Sequence, residues 1–309
     1  MKAADGARPA AAGPGRLDPG VALAFFWRRM RASYRPRPGA APRVPFDPNA
    51  LRWNPAVTWI GHATFYVRMD DAAFLTDPIY SERASPLAFA GPRRLVPPGV
   101  PLDALPRLDF ALLSHDHYDH TDRPTVRLLA RRGVPFVVPI GLGELVRREG
   151  GLVAAELAWW QDARIAGLTV TCVPARHFSG RGLADGNRRL WAGFVVAGEG
   201  GRLYHPGDTA LFGGFADIGR RAGPIDLACL PVGAYEPRAM MGPVHLNPEE
   251  AVRAARDLEA RAAVGMHFGT FDLSDEPLDE PPRRFLAEAR ARGLGEHAFV
   301  MAVGETRGF

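Results

Sequence analysis

The sequence predicts an α/β protein whose helices pack outside its β-sheets. From Trp53 onward, eleven short runs rich in β-branched and aromatic residues are separated by turn residues, and five helix-type segments fall between them. Composition agrees: 47% hydrophobic and 23% charged residues in 309 is the balance of an ordinary globular chain.

The strand-type runs are VTWIGH, TFYVRM, AAFLTD, DFALLS, PFVVPI, LTVTCVP, AGFVVAG, RLYHPGD, DLACLPV, AAVGMHF and AFVMAV. Helices are expected over Thr125–Arg132, Leu142–Arg148, Phe215–Arg221, Pro248–Glu259 and Phe285–Arg292. The fourth is the best marked, because Asn247 is a good N-cap, Pro248 suits the first helical position and Glu250 stands where a capping box needs it. No linker interrupts the chain after residue 52, so one catalytic domain over 53–309 is the simplest organisation.

Residues 1–52 form a basic extension. Positions 1–20 are mostly Ala, Gly and Pro and bury too little apolar surface to order themselves, while the Pro-rich residues 35–52 should run extended across the surface. Between them, Val21–Tyr34 is apolar and aromatic first and basic afterwards, so Val21–Arg35 offers a short amphipathic segment for peripheral membrane contact. The competing reading is a helix packed on the body with ordinary surface arginines.

The extension holds Lys2 and nine arginines against three aspartates, which is +7 of the total +4, so the rest of the chain carries −3. A basic body of the kind a nucleic-acid binder shows is absent. No apolar run approaches the ~20 residues of a membrane span, and Val21–Trp27 is too short for a secretory core, which places the expectation in the cytoplasm. Cys172 and Cys229 sit inside apolar runs and read as buried thiols.

The chemistry concentrates in HDHYDH, residues 115–120, where an apolar strand runs into three histidines and two aspartates. Side-chain alternation points His115 and His117 the same way, so together they can bind one ion. Asp119 and His120 can reach a second. Imidazole and carboxylate at this density suit zinc, with manganese or iron as alternatives. One loop cannot close two sites. His177, Asp208 and His267, each at the end of a β-type run, supply what is missing, and Asp208 can bridge because a carboxylate offers one oxygen to each ion.

HDHYDH matches the HxHxDH signature of the metallo-β-lactamase superfamily. TWIGHAT, FLTDPIYSERASP, LAWWQD, HPGDTA, GAYEPR, HLNPEEAV and MHFGTF resemble the N-acylphosphatidylethanolamine-hydrolysing phospholipase D family, from about Trp53 to Pro282. The resemblance implies a metallo-β-lactamase αββα four-layer sandwich with two mixed β-sheets. It implies two Zn2+ ions, the first on His115, His117 and His177, the second on Asp119, His120 and His267, with Asp208 shared and a bridging hydroxide as nucleophile. It also brings His245, just ahead of NPEEAV, to the substrate beside the catalytic carboxylates Asp119 and Asp208. The family's animal members carry Asn where this chain has Asp116, a position that alternation turns away from the metals, so little effect is expected there.

The function implied is a zinc-dependent phosphodiesterase of phospholipase D type, which hydrolyses N-acylphosphatidylethanolamine to N-acylethanolamine and phosphatidic acid. The alternatives are another hydrolase of this fold, a lactonase or soluble phosphodiesterase acting on a small molecule, and a non-catalytic metal-binding regulatory protein. Serine hydrolase chemistry has no GxSxG nucleophile here. GLGELV (Gly141–Val146) lacks the residues of a nucleotide loop and reads as a strand-to-helix turn. Asp77 either holds a ligand histidine's free N–H or caps a turn before Pro78. His62 is expected to be structural or to back a ligand, His205 to pack under the metal loop, and His297 to lie on the surface. Trp159 and Trp160 read as core residues, with an acyl groove as the rival.

Overall fold

The computed structural model describes residues 19–34, 37–182 and 184–309. Of the stretch expected to stay without order, residues 1–20, positions 1–18 lie outside these, as does Arg35, whereas Pro19 and Gly20 belong to the first helix.

The first sheet contains β1 (Ala56–Gly61), β2 (Thr64–Met69), β3 (Ala72–Thr76), β4 (Phe110–Leu112), β5 (Phe136–Pro139) and β6 (Val153–Leu157). The second contains β7 (Asp162–Ile165), β8 (Leu168–Val173), β9 (Gly193–Gly198), β10 (Gly201–His205), β11 (Leu227–Pro231), β12 (Ala262–Met266) and β13 (Ala298–Val300). A last strand, β14 (Thr306–Gly308), returns to the first sheet and pairs with β1. Each sheet has seven strands among the described residues, in the orders β14-β1-β2-β3-β4-β5-β6 and β13-β12-β11-β10-β9-β8-β7.

The two sheets share one plan. Along β14-β1-β2-β3 the neighbours are antiparallel, and from β3 to β6 they are parallel. Along β7-β8-β9-β10 they are again antiparallel, and from β10 to β13 parallel. Spacing in the sequence shows no repeat, yet the topology is duplicated.

Alternation along the strands builds the layers. Phe65, Val67 and Met69 of β2 and Phe74 of β3 enter a core shared with Val170, Phe194 and Val196 of the facing sheet, whereas Tyr66 and Leu75 join Val126, Leu129 and Val146 on the outer side. Those last residues come from α2 (Arg123–Arg131) and α3 (Gly143–Arg148). Over the second sheet lie α4 (Gly214–Ala222), α6 (Pro248–Asp257) and α7 (Glu280–Ala291), which contribute Phe215, Val252 and Phe285 to the main core. The result is helix, sheet, sheet, helix. Sheets buried on both faces explain why β1, β3, β4, β5 and β11 read as nearly unbroken apolar runs.

All eleven anticipated runs contain a strand, and all five anticipated helices form. Asn247 and Glu250 make the reciprocal capping box. GLGELV is the turn into α3, and both cysteines are buried free thiols. Three strands, β6, β7 and β14, and the short helix α5 (Arg238–Met241) were not anticipated.

Ahead of the sheets, α1 (Pro19–Tyr34) is tied to the body by ion pairs: Arg28 to Asp275, and Arg29 to Asp272 and Asp275. Arg37 adds a further pair with Asp272. Ala41 is buried and donates its N–H to Gly269 O, while Val44 and Val303 join through the backbone. The Pro-rich segment thus runs over the surface but is bonded to it.

Candidate metal centre

Every residue singled out for metal binding stands just beyond a strand's C-terminal end: His115–His120 after β4, His177 after β8, Asp208 after β10 and His267 after β12. This is the edge where α/β sheets gather their polar groups. The turns that deliver them are steeply constrained. Gly207 has φ +61, and a Cβ there would collide with the Ser114 side chain beneath the metal loop, so HPGD requires glycine. His62 (φ 56) and His267 (φ 65) also adopt left-handed backbone despite carrying side chains.

The residues converge as two groups. His115, His117, His177 and Asp208 form one, and His62, Asp119, His120 and His267 the other, with all ligand atoms in each group within 4.8 Å of one another. In the first, His117 Nδ1 lies 2.9 Å from His115 Nε2 and 3.2 Å from His177 Nε2. In the second, Asp119 Oδ2 lies 3.6 Å from His120 Nε2 and 3.4 Å from His267 Nε2. Nitrogen and oxygen ligands about 2.0–2.1 Å from a tetrahedral zinc stand roughly 3.3 Å apart, and these separations straddle that figure. Asp208 lies between the groups. Its Oδ2 is 3.2 Å from His120 Nε2, 3.8 Å from His177 Nε2 and 3.9 Å from His115 Nε2, while Oδ1 is 3.1 Å from His267 Nε2.

The second layer of hydrogen bonds selects tautomers. Asp77 is fully buried, and its Oδ2 accepts from His120 Nδ1 at 2.8 Å, His205 Nε2 at 2.9 Å and the Ser114 hydroxyl at 2.7 Å. With its proton given to Asp77, Ser114 Oγ accepts from His115 Nδ1 at 2.9 Å. His177 Nδ1 donates to Val244 O at 2.9 Å. Three histidines therefore spend their Nδ1–H on the scaffold and turn Nε2 inward, the nitrogen that an ion would take. Buried His120 Nε2, His267 Nε2 and Asp208 Oδ1 have no hydrogen-bond partner. Such atoms are costly to leave unpaired, and a cation satisfies all three. The donor set fits a pair of divalent metal ions.

Electrostatics agree. Burial pushes His62 and His177 down to about 3 and His117 to about 4, which keeps them neutral. Burial also lowers His267, but Asp208 and Asp119 outweigh it and raise the group to about 9. His120 is likewise lifted well above its ordinary value by Asp208, Asp119 and Asp77 against the pull of burial. Asp119 and Asp208, which burial alone would raise, are held well below the usual carboxylate range by His120 and the histidines around it.

Of the other residues, Asp77 takes the first of its two expected roles and holds a histidine N–H, and His205 packs beneath the metal loop as expected. His297 is exposed. Trp159 donates to Trp191 O and Trp160 lies under Arg221, both packed against the core. His245 is buried, with Nδ1 3.9 Å from Asp208 Oδ2, and burial lowers it to about 3. Asp116 does face away from the ligands, but it accepts from Gly180 N–H and pairs with Arg189, so its carboxylate is engaged rather than idle. His62 backs a ligand, one of its two expected roles: its Nε2 stands 3.0 Å from Asp119. A histidine after a glycine at a strand end was the only signal. Beside Tyr118 opens a cavity of about 410 Å3, with Arg83, Arg123, Arg127 and Arg181 among its lining.

Comparison with known proteins finds metal-dependent hydrolases among the relatives. The beta-lactamase superfamily domain matches residues 73–268. The N-acyl-phosphatidylethanolamine-hydrolyzing phospholipase D 1 of Caenorhabditis elegans is 42% identical over 247 residues, 75% of this chain and 68% of that protein. A UPF0173 metal-dependent hydrolase of Methanopyrus kandleri is 31% identical over 81% of this chain and 98% of its own length. Among solved structures, the metallo hydrolase Igni18 of Ignicoccus hospitalis superposes with a TM-score of 0.62 at 23% identity, covering 82% of this chain and 97% of that one.

Proposed function

The chain belongs to the beta-lactamase superfamily as a metal-dependent hydrolase, and we propose that it is a zinc phosphodiesterase of phospholipase D type that cleaves N-acylphosphatidylethanolamine. The observation that carries this reading is Asp208 standing between two histidine groups, within a chain 42% identical to a phospholipase D of that specificity.

In this reading His115, His117 and His177 hold one ion, Asp119, His120 and His267 hold the other, and Asp208 serves both. When bound, such a pair supplies Lewis acidity toward a phosphoryl oxygen and a water activated at neutral pH. The chain's own groups do the rest. Asp77, Ser114 and Val244 O fix the ligand tautomers and exclude other rotamers. His245, kept neutral by burial, can donate one hydrogen bond to a phosphoryl oxygen and so orient the diester. The arginines lining the cavity beside Tyr118 suit the anionic portion of the lipid.

Contact with a membrane surface is part of the proposal. On α1, Leu23, Trp27 and Met30 are exposed at successive spacings of four and three, which puts them on one helix face. Leu87 and Phe89 are exposed on a loop whose base pairs with residues 270 and 271, and α1 is anchored at 272 and 275. Both apolar projections thus rise from the segment that follows His267. No described helix is long and apolar enough to cross a bilayer.

The deciding experiment offers the zinc-loaded protein vesicles of N-acylphosphatidylethanolamine, and in parallel lactones and soluble phosphodiesters. Release of N-acylethanolamine and phosphatidic acid, abolished by chelator and restored by zinc, is the expected outcome. Turnover of the soluble substrates alone would favour the second reading, a small-molecule hydrolase, to which the nearly full-length match with the Methanopyrus protein lends support.

A further inference from the structure

We infer that His62 is a positioning residue of the second metal site, holding the Asp119 carboxylate by a hydrogen bond without itself binding the ion. This rests on the two-ion reading above.

His62 Nε2 lies 3.0 Å from Asp119 Oδ2. A carboxylate that binds a metal ion offers only lone pairs and accepts, so the proton of this bond lies on Nε2 and His62 donates. The contrast with its neighbours is direct. Within this second group, His120 Nε2 and His267 Nε2 are buried without partners and open to a cation, whereas His62 Nε2 is already bonded to Asp119.

The fold also fixes His62 with unusual firmness. Its N–H donates to Thr270 Oγ1 at 2.8 Å, and its carbonyl accepts from Trp59 Nε1 at 3.0 Å and from His267 N–H at 3.1 Å. The imidazole packs at 4.0 Å centroid distance on His267 and receives the edge of Phe271 at 5.2 Å. Three backbone bonds hold a left-handed residue in place, and the ring they aim restricts the rotation of Asp119. A carboxylate that cannot turn needs no ordering when the ion arrives, which raises affinity.

The test measures zinc stoichiometry by native mass spectrometry and affinity by chelator competition. His62→Gly removes the ring and suits the φ of 56, and His62→Gln restores a donor near the Nε2 position. His62→Gly should still bind two ions at saturating zinc, with the second about 10–100-fold weaker, and His62→Gln should recover most of that loss. Should His62→Gly fail to fold, His62→Leu gives the same readout, since it fills the space without a donor. Retention of one ion at saturation by all these variants would overturn the inference by making His62 a ligand. Unchanged affinity in His62→Gly or His62→Leu would overturn it as well. Failure of the unaltered protein to bind two ions would instead refute the two-ion reading.

Discussion

Asp116 and Arg189 meet at 2.7 Å behind the metal loop, 73 residues apart in sequence. The same carboxylate accepts the Gly180 N–H at 2.7 Å, and Arg181 donates to the Asp116 carbonyl at 2.5 Å. Together these bonds lash Gly180, Arg181 and Arg189, beyond His177, onto the loop that carries the HDHYDH cluster. Asp116 is fully buried, and Arg189 keeps a second partner in Asp185 at 2.8 Å.

Replacing this carboxylate should therefore have a measurable cost, contrary to the expectation from alternation alone. Asp116→Asn can keep the bond to Gly180 but loses the charge opposite Arg189. We expect about 1–3 kcal/mol of destabilisation, reduced from the full cost of breaking a buried pair because Asp185 remains. Denaturant unfolding of the two proteins checks it, and equal midpoints would refute it.

Asp208→Ala removes the one side chain with oxygens near both groups. At least one metal ion should be lost, and hydrolysis should fall to the uncatalysed level. Metal analysis of the purified variant decides the matter: two ions and full activity would disprove the ligand assignment.

His245→Ala should retain both ions and its fold. Because His245 stands beside the ligands, with Nδ1 3.9 Å from Asp208, its loss should appear in turnover, with kcat lower by ~10²–10⁴-fold. Unchanged kcat would make it structural, and loss of an ion would make it a ligand.

Metal uptake should release protons. In the metal-free protein His267 titrates at about 9 and His120 well above its ordinary value, so both carry protons at neutral pH that an incoming ion must displace. Raised groups stabilise the fold fully below the unfolded value of 6.5, and that contribution disappears as pH climbs through about 9. Lowered groups such as His62, His117 and His177 act in the opposite sense. Their contribution is complete above 6.5 and is lost as pH falls toward 3–4. The chelated protein should thus melt highest near pH 6.5, while zinc affinity keeps rising toward pH 9. Calorimetric titrations in buffers of different ionisation enthalpy should show on the order of two protons released at pH 7. Heats independent of buffer would contradict this.

Leu23→Ala combined with Trp27→Ala should weaken binding to anionic vesicles without altering hydrolysis of a short-chain soluble substrate. Both side chains are exposed, at 59% and 60%, so the fold should not notice their loss. Vesicle cosedimentation reads the effect, and undiminished binding would remove α1 from the membrane proposal.

The features legible in the sequence are those whose cause is local. Strand runs of β-branched residues, the Asn247–Glu250 capping box and the alternation that sets His115 and His117 on one side all depend on neighbours a few residues away. The strands left unread had little local signal. Asp162–Ile165 is half exposed and polar at alternate positions, and Thr306–Gly308 owes its strand state to pairing with β1 across the whole length of the chain. Tertiary structure alone decided how the site is held. Asp77 reaches His120 across 43 residues and His205 across 128, and Arg29 anchors α1 on Asp272 across 243. A hydrogen bond of under 3 Å depends on the register of strands and the burial around them, neither of which the spacing of residues encodes. The sequence therefore determined which side chains could bind metal. Packing decided which nitrogen of each histidine faces inward, and that His62 stands against Asp119.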